Sequence, residues 1–199
     1  MKKLSFTMIF ACCVLAMVAQ DVIRVNYRGA KPTISDFAWA YVVAVDKIEE
    51  CGDKPSNAIK EAMTRQRKGL PLENGETLVV DEKNGYILYE FKYDTVVMRM
   101  EMCYWNEADG KHKLFAFNHM STLSDGKPVL TETSGLTFYR YDNAKKKMTY
   151  CNPPGFEVEY YDTTYEFPRA GKNITVNKWN EDVIVEQKTL KWNGRRFSY

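Results

Sequence analysis

Thr95-Val96-Val97-Met98-Arg99-Met100-Glu101-Met102-Cys103-Tyr104-Trp105 alternates along most of its length. Successive strand residues point to opposite faces. Val96, Met98, Met100, Met102 and Tyr104 are therefore expected on one buried face, with Thr95, Arg99 and Glu101 on a wet one. A slip of one residue would drive Arg99 and Glu101 into the core, so the register is tightly specified. The stretch is expected to be a central strand of an antiparallel sheet, around which the rest of the chain is arranged.

Working outward, Thr77-Leu78-Val79-Val80 and Gly85 to Tyr93 flank Glu82-Lys83-Asn84-Gly85. The Asn-Gly pair suits a hairpin turn with positive φ, and Ile87, Tyr89, Phe91 and Tyr93 share a face of the second strand. Beyond the central strand, Ala108-Asp109-Gly110 turns the chain into Leu114-Phe115-Ala116-Phe117, an unbroken apolar run that suits a strand covered on both faces. Leu136 to Tyr141 and Lys147 to Cys151 are expected to form a hairpin across Asp142-Asn143-Ala144. Pro153-Pro154-Gly155 then redirects the chain, and Phe156, Val158 and Tyr160 alternate with Glu157 and Glu159. Short strands follow at Tyr165–Phe167, Ile174–Val176, Val183–Val185, Thr189–Trp192 and Arg196-Phe197. Four segments run from an aromatic residue through Asn or Asp into a turn, at Trp105-Asn106, Tyr141-Asp142, Trp179-Asn180 and Trp192-Asn193. They are read as shared turn chemistry, since nothing between them repeats.

On the N-terminal side two helices are expected. Ser35 is read as the cap of the first, in which Phe37, Ala40, Tyr41, Ala44, Val45 and Ile48 recur at helical spacing and Trp39, Val42 and Val43 widen the stripe. The second is capped by Ser56 or Asn57, turns Ile59, Ala62 and Met63 inward, and ends at Gly69 and Pro71. Arg65, Arg67 and Lys68 lie near its C-terminus, where the backbone dipole favours cations.

Lys2 and Lys3, the apolar run from Leu4 to Val18, and Ala19 read as an export signal. Residues 1–19 are assigned to it and residues 20–199 to a single domain; cleavage after Ala16 is the competing site. Cys12 and Cys13 leave lipid attachment open, although Phe10 stands where a lipobox wants a small residue. Without Lys2 and Lys3, the 28 basic residues fall to match the 26 acidic ones. A near-neutral chain argues against nucleic acid as a partner, because phosphate binding needs a basic footprint. Beyond the signal stand Cys51, Cys103 and Cys151; one disulfide with a free thiol and three thiols are both open. No transmembrane segment is expected after the signal.

The signal ending in Ala-Gln, together with Phe167-Pro168-Arg169-Ala170-Gly171-Lys172-Asn173-Ile174 and Leu190-Lys191-Trp192-Asn193-Gly194-Arg195-Arg196-Phe197, resembles small exported proteins of Bacteroidota that carry β-rich domains of unknown function. The resemblance covers the signal and the last third of the chain. It implies a periplasmic or surface location, and implies that Asp94-Thr95-Val96 and Asp162-Thr163-Thr164 match a three-residue O-glycosylation signal. It supplies no catalytic residues. Asn173-Ile174-Thr175 matches the N-glycosylation sequon of a eukaryotic source.

The chemistry the residues permit is sparse. Cys103 facing His112 or His119 across the Asp109-Gly110 hairpin is the one nucleophilic constellation, and no flanking motif accompanies it. Cys-x-x-Cys, His-x-His and His-Glu-x-x-His spacings are missing, so a zinc site would need carboxylates from scattered strands. Glu157-Val158-Glu159 reads as solvated strand surface, and the sequence has no nucleophile elbow or phosphate loop. No catalytic, cofactor-binding or metal-binding residue is assigned, and no cofactor is expected. Met98, Met100 and Met102 beside Tyr89, Phe91 and Tyr93 suit either core filling or a pocket for an apolar ligand.

The expected fold is α+β, with two N-terminal helices packed on a bent, mostly antiparallel sheet or partly closed β-barrel. The expected role is an exported, non-enzymatic binding protein holding a small apolar ligand or a protein or glycan partner. A structural component of the envelope and a small Cys/His hydrolase are the alternatives.

Overall fold

The computed structural model describes residues 22–48, 55–123, 125–129, 135–157 and 162–199. Its helices are α1 (Ile34–Ile48) and α2 (Pro55–Arg67). The strands through the middle of the chain are β1 (Val22–Arg24), β2 (Glu76–Asp81), β3 (Tyr86–Tyr93), β4 (Val96–Asn106), β5 (His112–Leu123), β6 (Pro128–Val129), β7 (Gly135–Asp142) and β8 (Lys147–Tyr150). Four more close the chain: β9 (Thr163–Glu166), β10 (Ile174–Asn180), β11 (Val183–Trp192) and β12 (Phe197–Ser198).

An antiparallel sheet runs in the order β1-β8-β7-β5-β4-β3-β2, with β6 added to the end of β5. A second sheet runs β12-β11-β10-β9. The large sheet is open, ending in β1 and β2, and so does not close into the partial barrel that the sequence allowed. The α+β class holds. β4 is interior, pairing with β3 from Tyr86↔Cys103 to Tyr93↔Val96 and with β5 from Val96↔Leu123 to Asn106↔Lys113.

Alternation sorts the side chains into two cores. On one face Ile87, Tyr89, Met100, Met102, Phe115 and Tyr139 pack with Phe37, Tyr41, Ile59 and Met63 of the helices. The Phe37 ring meets Tyr141 edge-on at 4.9 Å, and Tyr41 meets Phe117 at 4.8 Å. On the other face Tyr86, Cys103, Trp105, Leu114, Ala116 and Phe138 pack with Tyr165, Phe167, Ile174, Leu190, Trp192 and Phe197. The second sheet thus covers the face of β4 that the alternation assigned to water. Glu101 is 0% exposed there.

Local chemistry explains the element ends. α1 is capped by Thr33 and not by Ser35: the Thr33 N–H and hydroxyl both donate to Asp36 Oδ2, at 2.8 and 3.1 Å. α2 begins at Pro55, whose fixed φ and missing N–H suit a first helical position, so Ser56 and Asn57 lie inside the helix and not at its cap. It ends as expected at Gly69, where the Leu70 N–H reaches the Arg65 carbonyl at 2.9 Å and the Gly69 N–H reaches Gln66 at 3.1 Å. Arg65 pairs with Glu73, and the Arg67 guanidinium lies 4.4 Å from the Trp39 ring centre. The basic helix end is therefore spent on structure. Gly155, at φ 75°, lies against the Phe197 backbone, where a Cβ would meet the Phe197 oxygen at 2.1 Å. Val158 and Tyr160 of the alternating run, with Glu159, fall outside the described residues, as do Cys51 and the signal segment.

Candidate functional site

The groups singled out in the sequence separate in space. Cys103 pairs with Ala116, which places His119 three residues and His112 four residues along β5. At strand rise those offsets are about 10 and 13 Å, beyond hydrogen-bond reach. Cys103 and Cys151 are free thiols. Burial, helped by the Glu101 carboxylate, pushes the Cys103 thiol well up, and burial raises Cys151 to about 11. Both thiols are protonated at neutral pH, the opposite of an activated nucleophile. Met100 and Met102 are fully buried and touch the helices, so they fill core. Thr163 and Thr164 of one glycosylation triplet are buried, whereas Thr95 of the other sits exposed in the Asp94-Thr95 turn.

Two polar assemblies were not legible residue by residue. The first lies between the sheets. Glu101 Oε1 accepts from the Tyr86 hydroxyl at 2.7 Å and from Arg99 at 3.0 Å, while Oε2 accepts from Asn118 at 3.2 Å and from the Phe167 N–H at 3.3 Å. Asn118 also donates to the Tyr165 carbonyl at 2.7 Å. The assembly docks the second sheet onto the first, and its atoms are turned toward one another.

The second lies at one end of the large sheet. β1 pairs with β8 up to Arg24↔Lys147, and β5 begins opposite β7 at His112↔Asp142. This topology gathers the loop after β1, the β4–β5 turn and the β7–β8 turn. Between them opens a cleft of about 480 Å³ lined by Tyr27, Lys31, Asn106, His112, Lys113 and Asn143, with Ala30, Pro32 and Gly110. Hydrogen bonds within and between the turns tie its lining together. Asp109 Oδ1 accepts from the N–H groups of Lys111 and His112, and Asp109 Oδ2 accepts from His112 Nδ1 at 2.5 Å. Asn143 donates to the Gly110 carbonyl at 3.2 Å. Lys113 Nζ lies 4.6 Å from the Tyr104 ring centre and donates to Asn106 Oδ1. Desolvation, followed by repulsion from Lys31, lowers the Lys113 pKa.

Behind the cleft, donor atoms of Glu107, Asp109 and His112 lie within 4.8 Å of one another. Arg140 answers this group, grasping both Glu107 oxygens at 2.7 Å and reaching Asp109 at 3.5 Å. The spacing Glu107-x-Asp109-x-x-His112 across a tight turn was the only sequence sign of it.

No family model matches the chain, and no curated protein or solved structure matches it either. Fold and site define an α+β protein of two stacked antiparallel sheets with a cationic cleft at one end. Among the described residues no helix is long and apolar enough to cross a membrane.

Proposed function

We propose that the chain is an exported, non-enzymatic binding protein whose cleft holds an acidic glycan. One observation carries this reading: Lys31 and Lys113 line a single concave site together with the amides of Asn106 and Asn143 and the Tyr27 ring. Two ammonium groups in one partly desolvated site repel each other, and an anionic ligand relieves that repulsion. Carboxamides suit sugar hydroxyls, and tyrosine offers an apolar face with a polar tip. The site sits on loops held by a rigid sheet, the usual place for recognition. Export belongs to the same proposal and rests on Lys2, Lys3 and the apolar run that follows, as does the likeness to exported Bacteroidota proteins.

The test is isothermal titration with an oligogalacturonate and with a neutral oligosaccharide of equal length. Saturable binding of the acidic chain alone is expected, weakening with salt, and weakening on the order of tenfold in Lys31→Gln and in Lys113→Gln. No saturable binding of the acidic chain, or equal binding by both lysine variants and the parent, would remove the cleft from the account.

A further inference from the structure

Asn-Gly pairs stand at three places in the chain, Asn74-Gly75, Asn84-Gly85 and Asn193-Gly194. Such a pair can close a ring on itself. The Gly nitrogen bonds to the Asn Cγ, the side-chain amide leaves as ammonia with the Gly proton, and water then opens the succinimide to aspartate or isoaspartate. Glycine admits this approach because it has no Cβ to obstruct it. Two freedoms are needed: a Gly N–H that no acceptor holds, and an Asn side chain that can swing onto the Gly nitrogen.

At Asn84 both are missing. The Gly85 N–H donates to the Asp81 carbonyl at 2.8 Å, and Asn84 Nδ2 donates to Asp81 Oδ2 at 2.9 Å. Gly85 is also buried against Tyr104, whose ring a Cβ would meet at 2.7 Å. At Asn193 the side chain is held, its Oδ1 accepting from the N–H groups of Arg195 and Arg196, both at 2.9 Å. Gly194 is buried, and its carbonyl accepts the Ala108 N–H at 2.8 Å. Asn74 differs. It and Gly75 are exposed in the turn closed by the Glu76 N–H and the Glu73 carbonyl at 3.1 Å. The Gly75 carbonyl accepts from the Lys92 N–H, but among the described residues neither the Gly75 N–H nor the Asn74 side chain has a hydrogen-bond partner.

We infer that Asn74 is the Asn-Gly site that converts in the folded protein, a modification site facing solvent just ahead of β2. Conversion places a carboxylate between Glu73 and Glu76, and the isoaspartate form adds a methylene to the main chain of the turn. Glu73 pairs with Arg65, and Glu76 Oε1 accepts from the Tyr89 hydroxyl at 2.8 Å. The new charge therefore falls where α2, β2 and β3 meet.

Peptide mass spectrometry tests this on the full chain, incubated in mildly alkaline buffer at physiological temperature and sampled over weeks. Trypsin places the three pairs on separate peptides, residues 69–83, 84–92 and 192–195, each with one Asn. The peptide 69–83 should gain one mass unit and appear as two products that elute apart, aspartate and isoaspartate. It should convert about tenfold or more faster than the other two, since a hydrogen bond that must first break slows ring closure by about that factor. In urea the three rates should converge, because the unfolded chain keeps none of these bonds. A native Asn74 that converts no faster than Asn84 or Asn193 overturns the inference. So does a native order that persists unchanged in urea, which would place the selection in the neighbouring residues and not in the fold.

Discussion

Glu101 has no exposed surface, yet four donors from β3, β4, β5 and the residue after β9 converge on its two oxygens. A carboxylate so placed is tolerated because both of its oxygens are met by these donors, one of them the Arg99 cation. Replacing it with alanine leaves the buried Tyr86 hydroxyl and the Phe167 N–H without this acceptor, while Arg99 keeps Glu90 and Asn118 keeps the Tyr165 carbonyl. Glu101→Ala should therefore cost about 3–5 kcal/mol of stability, and Glu101→Gln, which keeps an acceptor, distinctly less. Urea unfolding of the three proteins checks this; a Glu101→Ala loss below about 1 kcal/mol would mean that the seam does not dock the sheets. Alternation alone sent Glu101 to water. The contrary sign was already present in Cys103 and Trp105, which share its face and are apolar. What no local pattern could show is that a sheet built some sixty residues later covers that face.

At the scale of elements, the fold is legible wherever a buried face and a turn agree. The β4 register is as expected: Met100 and Met102 enter the helix-side core, and pairing with β3 and β5 continues to Trp105. Aspartate to that core has no partner for its charge, so Met100→Asp should abolish the cooperative melting transition. An intact transition by circular dichroism would refute the register. The inward face of α2, the Gly69 stop and the β7–β8 hairpin were equally legible. Caps were not, because Thr33, Ser35, Ser56 and Asn57 are all competent and only the chain's approach to each helix chooses among them. Val183–Val185 and Thr189–Trp192 looked like two strands because Glu186, Gln187 and Lys188 interrupt the apolar pattern. They are one strand, with a bulge at Val185 and an exposed middle. The cleft was illegible for a related reason. Lys31, Lys113 and Asn143 belong to three turns whose meeting depends on β1 lying beside β8, and strand order is not written in any single strand.

Over the whole molecule, the hairpin turns share one dependence on charge. Asp81, Asp109, Asp142 and Asp182 stand at the β2–β3, β4–β5, β7–β8 and β10–β11 turns, and each has its carboxyl held below the usual range. For Asp109 the His112 side chain is the main cause, then the Lys111 N–H, bringing the pKa to about 2. For Asp142 the main cause is the Lys145 N–H; for Asp81 it is the Asn84 amide; for Asp182 it is the Lys127 ammonium. A carboxyl whose pKa is lower folded than unfolded stabilises the fold above its unfolded value, near 3.9. That stabilisation is lost as pH falls through the folded value. Melting temperature should thus be steady near neutrality and fall between about pH 4 and pH 2, where these turns lose their acceptor charge. Asp109→Asn combined with Asp142→Asn keeps an oxygen for the turn N–H groups and removes two of the titrating sites. Its melting temperature should start lower at pH 6 and decline less steeply on acidification, as followed by circular dichroism. A parent curve flat down to pH 2, or a double variant with the parent's slope, would show that acid acts on this fold through groups other than its turns.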